Sequence, residues 1–413
     1  MLRFSLLLLA LCLLGTGCTV NEVIVAEETE LEVARAQVDE ASLLDVGIIE
    51  FAHGMRDNND PRKTGVHEEI RLAETKYLAY HLKTTLQGTG YWGAVRVIPS
   101  REAFTDLVVS GSIKRSDGEF IEITVSVVDA AGRHWYDKTY ETQTGITSYS
   151  ERRDRRLDPY QKVFNDIAND LREFAVQIPP KQLQQTRQIS ELKFFADMSP
   201  LAYGEHLSEN EEGTVSIVRL PAENDPTVSR LRQIRERDRL VVDTLNEHYA
   251  NFYYGIAIPY RNWRKTSREE LVNYRQVKRS ARMQTLVGVV VLAGSLAVDT
   301  NNSSSSRTRR TNRALQNIGI SEGFNRIVAG VRRASGAEEH LNTIAELSQS
   351  FGAQAAPMVV SVEGQERRLT GTAEAQYEGW RRLLKEIYQA ETGFSQSIEV
   401  GAPSRTTESA SDN

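Results

Sequence analysis

Cysteine is almost missing from this chain. Its 413 residues include two, Cys12 and Cys18, so the sequence offers no disulfide framework, and stability must come from packing. Positive charge is not in excess either. The formal charge is -6, which argues against a nucleic-acid partner. No apolar run reaches the roughly 20 residues that a membrane-crossing helix requires. The seven histidines, His53, His67, His81, His134, His206, His248 and His340, are scattered. His67-Glu68-Glu69 lacks the second histidine that places two ligands on one helix face, so no metal site is expected. Gly88-Thr89-Gly90 precedes a strand rather than a helix, so it lacks the helix N-terminus of a phosphate loop. No facing pair of carboxylates stands out for acid-base work.

What the chain does have is an address. Arg3 precedes an apolar run, Phe4 to Leu14, followed by Gly15-Thr16-Gly17-Cys18, the layout of a secretory leader ending in small residues. It resembles a bacterial lipoprotein signal, in which the cysteine after the cut is acylated. The family usually carries Leu three places before the cysteine; here that place is Gly15, with Leu14 one further back. A plain cleaved signal and an uncleaved anchor are the alternatives, and eleven apolar residues are too few to span a bilayer. The resemblance implies lipidation at Cys18, with palmitate-like chains whose burial gives stable anchoring at ~0.8 kcal/mol per CH₂. Thr19, rather than Asp, follows the cysteine, which in that family implies the outer membrane, periplasmic side. Loss of residues 1–17 would take Arg3 with it and move the charge from -6 to -7.

Residues 18–42 are acidic and poor in aromatics, which predicts a solvated tether. Residues 43–178 read as one domain. Leu43 to Phe51 is a short apolar run typical of a buried strand. Ile70, Tyr77, Leu78, His81, Leu82 and Leu86 recur at helical spacing until Gly88 and Gly90 stop them. Strands follow at Val95–Ile98, Leu107–Ile113 and Phe120–Val128, and Asp129-Ala130-Ala131-Gly132 turns into a partner strand from His134 to Tyr140. A helix capped at Asp158-Pro159 runs to Phe174 and ends before Pro179-Pro180. The order β-α-β-β-β-β-α predicts a mixed sheet covered by two helices. Trp92 and Trp135 are assigned to its core, with a partner-anchoring role as the alternative.

Asp106-Leu107-Val108-Val109-Ser110-Gly111-Ser112-Ile113 and Val127-Val128-Asp129-Ala130-Ala131-Gly132-Arg133 carry a second resemblance. They look like the strand and turn of the α/β domain shared by the amino-terminal part of TolB, the curli-secretion lipoprotein and the lipoprotein activators of peptidoglycan synthases. The likeness covers about a third of the chain and its motifs are structural: Gly111 for close backbone approach, Asp129 and Gly132 for the turn. It implies a protein-binding module of the envelope, with no catalytic residues.

Beyond a connector at 179–225, which holds Leu192, Phe194, Phe195, Met198 and a strand near Thr214–Leu220, residues 226–298 predict a long antiparallel helical hairpin. Asp225-Pro226 starts its first helix, Pro259 to Thr266 breaks it, and Ser267-Arg268-Glu269-Glu270 has capping-box spacing for the second. That second helix ends in the apolar run Leu286 to Val298, which charged Leu231–Asp238 cannot cover. Burial by later helices, contact with lipid and contact with other subunits all remain open for it. Residues 299–313 form a Ser/Arg linker, 314–391 a helical domain with a small β-hairpin, and 392–413 a disordered tail. Gly319-Ile320-Ser321-Glu322-Gly323 matches a nucleophile elbow literally, but its context reads as helix rather than strand and turn, so Ser321 is assigned as a helix cap.

The expected fold class is α+β: a mixed-sheet α/β domain followed by a mainly helical half. The expected role is a non-catalytic lipoprotein that binds or assembles envelope proteins, without cofactor or metal, its membrane contact being lipidated Cys18. The alternative is a structural homo-oligomer assembled through residues 286–298.

Overall fold

The computed structural model describes residues 28–54, 67–150, 152–153, 157–222, 224–296, 358–362 and 365–392. The fold is α+β. Its centre is a five-stranded sheet of order β2-β1-β3-β4-β5, made from β1 (Val46–Ile49), β2 (Val95–Ile98), β3 (Leu107–Ser116), β4 (Phe120–Asp129) and β5 (His134–Gln143). β1 lies parallel between β2 and β3, whereas β3, β4 and β5 form an antiparallel meander. The expected order β-α-β-β-β-β-α is present, completed by α1 (Glu68–Thr89) and α2 (Gln161–Gln177). Gly90, at φ +70°, ends α1, a backbone conformation that glycine adopts without steric cost.

The motif glycines do what their positions require. A Cβ on Gly111 would stand 2.8 Å from the Phe51 ring, so β3 must be bare there for the chain after β1 to cross it. Gly132 has φ +76°, and Asp129 secures the same turn by accepting from the backbone N–H groups of Ala131 and Arg133. Trp92 and Trp135 are both buried, so they serve the core.

The connector is structured. It contains α3 (Pro180–Met198), the single turn α4 (Pro200–Tyr203) and a hairpin of β6 (Leu207–Glu209) with β7 (Val215–Ile217). Leu192, Phe194, Phe195 and Met198 pack in a second core with Leu231, Ile234, Leu245, Trp380 and Leu384, which joins α5 (Pro226–Leu296) to α6 (Ala373–Thr392). A small hairpin of β8 (Met358–Val362) and β9 (Gln365–Leu369) precedes α6.

Two expectations are corrected. The hairpin expected within 226–298 is one unbroken helix of 71 residues, with Pro259 inside it, about 106 Å long at 1.5 Å per residue. Proline removes one backbone bond and crowds the carbonyl four residues earlier, which here belongs to Gly255. Packing outweighs that local cost, because Tyr249, Phe252, Ile256, Tyr260 and Trp263 on both sides of Pro259 are buried in the core of the sheet domain. Ser267 does not cap a new helix; its hydroxyl donates to the Asp117 carbonyl. The acidic tether is likewise shorter than 18–42. Asn165 and Asn169 donate to the carbonyls of Thr29 and Glu30, Asn169 accepts from the Glu32 N–H, and the Ala34 N–H donates to the Thr89 carbonyl. Residues 29–34 are thus strapped along α2.

α5 also closes one edge of the sheet. The Asn246 side-chain amide accepts from the Val97 N–H at 3.0 Å and donates to the Val97 carbonyl at 2.9 Å, occupying the outward backbone groups of Val97 on edge strand β2, and Arg96 forks onto Asp243 beside it. Replacing Asn246→Leu strands both Val97 groups against a helix and is expected to destabilise the fold by about 1–3 kcal/mol. Urea unfolding checks this; an unchanged midpoint would show that the amide clamp contributes nothing.

Candidate functional site

The strongest chemistry among the described residues lies where α5 crosses the sheet domain. Arg264, fully buried, forks onto Asp158 with two bonds of 2.8 Å. Tyr77 donates to the same carboxylate at 2.9 Å, and the guanidinium lies over the rings of Tyr260 and Tyr160 at 4.1 and 4.8 Å. One helical turn away on α1, Glu74 accepts from Tyr260 and Ser116 at 2.6 and 2.5 Å and pairs with Arg71 at 3.0 Å. The β3–β4 turn docks on this cluster through Gly118, which has φ +85° and whose added Cβ would meet the Arg264 carbonyl at 2.3 Å.

Electrostatics keep the cluster charged where it is paired. Burial pushes the Asp158 carboxyl up, but Arg264 outweighs it and holds the group well below the usual carboxylate range. Burial lowers Arg264, and Asp158 reverses that and holds the guanidinium above its ordinary value. Glu74 is raised, burial prevailing over Arg71, Ser116 and Tyr260. His81 is lowered by burial against the pull of Asp158, and its ring nitrogens meet the Tyr253 hydroxyl at 2.8 Å and Gln161 at 2.9 Å. These groups bond to one another inside the fold, an arrangement that fixes geometry.

The surface available to a partner lies at the other edge of the sheet. β5 is ten residues long and ends the strand order; among the described residues no strand pairs with its outer edge. Beside it runs a groove of about 190 Å³ lined by Tyr136, Lys138, Asp170, Glu173, Phe174 and Gln177. Phe174 of α2 stacks on Trp135 at 5.1 Å and forms the floor with Tyr136. The rim of the groove is polar, with Lys138 paired to Asp170 across it. A strand edge with no neighbouring strand among the described residues and an aromatic-floored groove alongside is a geometry that takes an added strand: backbone bonds supply affinity and the groove takes alternate side chains.

A larger concavity of about 400 Å³ lies between α3 and α5, lined by Arg187, Arg232, Arg235 and Arg239 with Asp106, Glu191 and Glu236. Its charges are mostly spent on each other. Arg232 forks onto Glu191, and Arg239 pairs with Glu236 and Asp45. Buried Arg235 donates to the Phe104 carbonyl and the Ser190 hydroxyl. This is a polar seam stitching two helices to the start of the sheet.

Cys18, Ser321, His340, the linker at 299–313 and the predicted helix near 335–351 lie outside the described residues. Among the described residues no group of three or more His, Cys, Asp or Glu is placed to hold a metal ion. Arg264, Glu74 and Tyr260 were not legible as site residues: they carry no motif, and a buried arginine is uncommon.

No protein-family model matches the chain, and no curated protein sequence matches it. Among solved structures, a variant PelC dodecamer from Paraburkholderia phytofirmans matches at 17% identity over 39% of this chain and 98% of that one. Its TM-score of 0.18 is too low to define a shared fold.

Removing Arg264 leaves Asp158 buried and uncompensated, so Arg264→Met is expected to cost about 3–5 kcal/mol, and the double variant with Asp158→Asn to recover much of it. Because the folded Asp158 carboxyl is depressed, its contribution is complete above the unfolded carboxylate range near pH 4 and fades as pH falls below it. Thermal unfolding of the parent, Arg264→Met, Asp158→Asn and the double variant between neutral and acid pH checks both statements. A single variant as stable as the parent at neutral pH would refute the clasp.

Proposed function

We propose that this protein is a bacterial outer-membrane lipoprotein, anchored by acylated Cys18 and facing the periplasm, whose sheet domain binds other envelope proteins as an assembly factor. The observation that carries the binding role is the asymmetry of the sheet edges. Val97 of β2 is capped by Asn246, whereas the ten-residue β5 has no neighbouring strand on its outer edge among the described residues and lies next to a groove floored by Phe174 and Tyr136. Natural proteins blunt such an edge with charges and bulges, and β5 carries Asp137, Lys138 and Glu141, so the edge would take a strand of matching charge rather than pair indiscriminately. The leader layout and the resemblance of the Asp106–Ile113 and Val127–Arg133 motifs to TolB-type domains support the location and the class.

A photo-crosslinking residue in place of Lys138 is expected to capture a discrete envelope protein in cells, whereas the same probe at exposed Glu247 on α5 is not. No adduct from several β5 positions, at normal expression, would remove the binding role. The address is tested separately. Mass spectrometry of the amino-terminal peptide should show an acylated Cys18, and Cys18→Ser should release the protein from the membrane fraction; an unmodified cysteine would refute the lipoprotein reading.

The second reading, a homo-oligomer assembled through 286–298, is favoured by one observation: the helix does not fold back within 226–296, so the opposing arm expected to flank the apolar run is not there. It requires a discrete large particle in light scattering of the lipid-free protein.

A further inference from the structure

The described amino-terminal segment begins toward the end of the sheet domain to which α5 runs. α1 and α5 are antiparallel, as their successive contacts show: His81 with Tyr253, Glu74 with Tyr260, His67 with Trp263. The carboxyl-terminal direction of α5 is therefore the direction from Thr89 back toward Glu68 on α1. The amino-terminal strap, followed backward, travels the same way. Ala34 sits at Thr89, Glu32 at Asn169, Thr29 at Asn165 and Glu28 at Arg153. Arg153 is bonded to Ser150, whose carbonyl also accepts from Arg261 of α5. Residue 28 is thus linked through Arg153 and Ser150 to Arg261, on the side toward which α5 runs.

The lengths agree. From Glu28 to Cys18 the chain reaches at most about 35 Å when extended. From Arg261 to Leu286 the helix advances about 38 Å at 1.5 Å per residue. Leu286 to Leu296 of α5 then covers about 15 Å, half of the ~30 Å hydrocarbon core. The run starts about 27 Å past Arg268, which donates to the Thr144 carbonyl of the sheet domain.

Composition along the arm fits the same boundary. No Asp or Glu occurs between Glu270 and Asp299. Arg275, Lys278, Arg279 and Arg282 lie on the two turns and a fraction just before the apolar run, where cations meet anionic headgroups at about 1 kcal/mol each. No helix among the described residues is long and apolar enough to cross a membrane. A run half the core in length, with a cationic collar, is the pattern of a segment that enters one leaflet.

We infer that the distal end of α5 is a membrane-docking tip: the apolar turns Leu286–Leu296 insert into the leaflet that holds the protein's own lipid anchor, and the basic collar meets anionic headgroups. The placement of the bilayer rests on the lipoprotein reading, but the affinity of the tip for lipid does not. The two therefore fail separately.

The test uses the full mature chain with Cys18→Ser, which carries no lipid, floated with vesicles of phosphatidylethanolamine and phosphatidylglycerol. The protein is expected to float with these vesicles and much less with neutral phosphatidylcholine. Val290→Asp combined with Leu292→Asp should reduce the bound fraction roughly tenfold or more. Replacing the collar cations by Gln should abolish the preference for anionic lipid and its salt sensitivity. Circular dichroism and the unfolding midpoint of the sheet domain should be unchanged in both variants. A well-folded Cys18→Ser chain that stays at the bottom of the gradient would overturn the proposal; as a monomer it would place the apolar run inside the chain's own fold, as a large particle inside an oligomer. Equal flotation of the Asp variant would overturn it too.

Discussion

The bidentate pair between Arg264 and Asp158 sets the position of everything that α5 carries. It is fully buried, so its Coulomb attraction is opposed by the cost of taking two ions out of water, and such a pair is poor evidence for net stability. Its contribution is positional. Two parallel bonds, a tyrosine hydroxyl on the same carboxylate and aromatic faces about the guanidinium leave one rotation and one register for α5 on the sheet domain. A sliding helix would break every one of them at once. Apolar contacts from Tyr249 to Trp263 supply the burial energy, and being non-directional they would tolerate a shift of a turn. The ion pair would not.

The same helix decides which side of the sheet is open. Asn246 bonds Val97 of β2 as a neighbouring strand would, and the second core of α3, α5 and α6 extends that closure over Ile98 and Val108. On the opposite side α2 packs on one face of β5 through Phe174 and an ion pair from Asp170 to Lys138, leaving a shallow groove beside Tyr136 and the outer edge of the strand without a neighbouring strand among the described residues. A sheet closed at one end and open at the other directs any strand-adding partner to β5, and it keeps that partner away from the helix that would have to remain fixed.

Local signals were legible where local forces decide. The strands, the stop at Gly90, the bare backbone of Gly111 and the Asp129–Gly132 turn could be read directly, because each depends on alternation or on a single backbone angle. Pro259 and Ser267 misled for the complementary reason. Both carry real local preferences, of about 3 kcal/mol for a proline inside a helix and about 1 kcal/mol for a cap. Those preferences lose to the burial of several aromatic side chains on either side, each contributing on the order of 2 kcal/mol. The strap of residues 29–34 was illegible because it is held by asparagine side chains bonding backbone groups, a contact with no period. Arg264 fell in a polar stretch that reads as a loop, and only the meeting of Asp158 with α5 in space reveals it.

A lipid on a ten-residue tether and a rigid arm would constrain the protein in different ways. A flexible tether would fix distance but leave orientation free, because flexible chain transmits no torque and costs little entropy to lengthen. An arm clasped to the sheet domain by a single-register ion pair transmits orientation along its whole length. On the proposed arrangement the anchor holds the tip within a few nanometres of the bilayer, so insertion becomes an intramolecular step at an effective concentration near the millimolar range. A tip with weak intrinsic affinity then suffices, which is why it needs no more than half a membrane span. With both contacts made, the open β5 edge no longer sweeps through all directions but is presented at one height and one angle. Orientation of that kind comes from the pairing of Arg264 with Asp158, some tens of ångströms from the lipid it would govern.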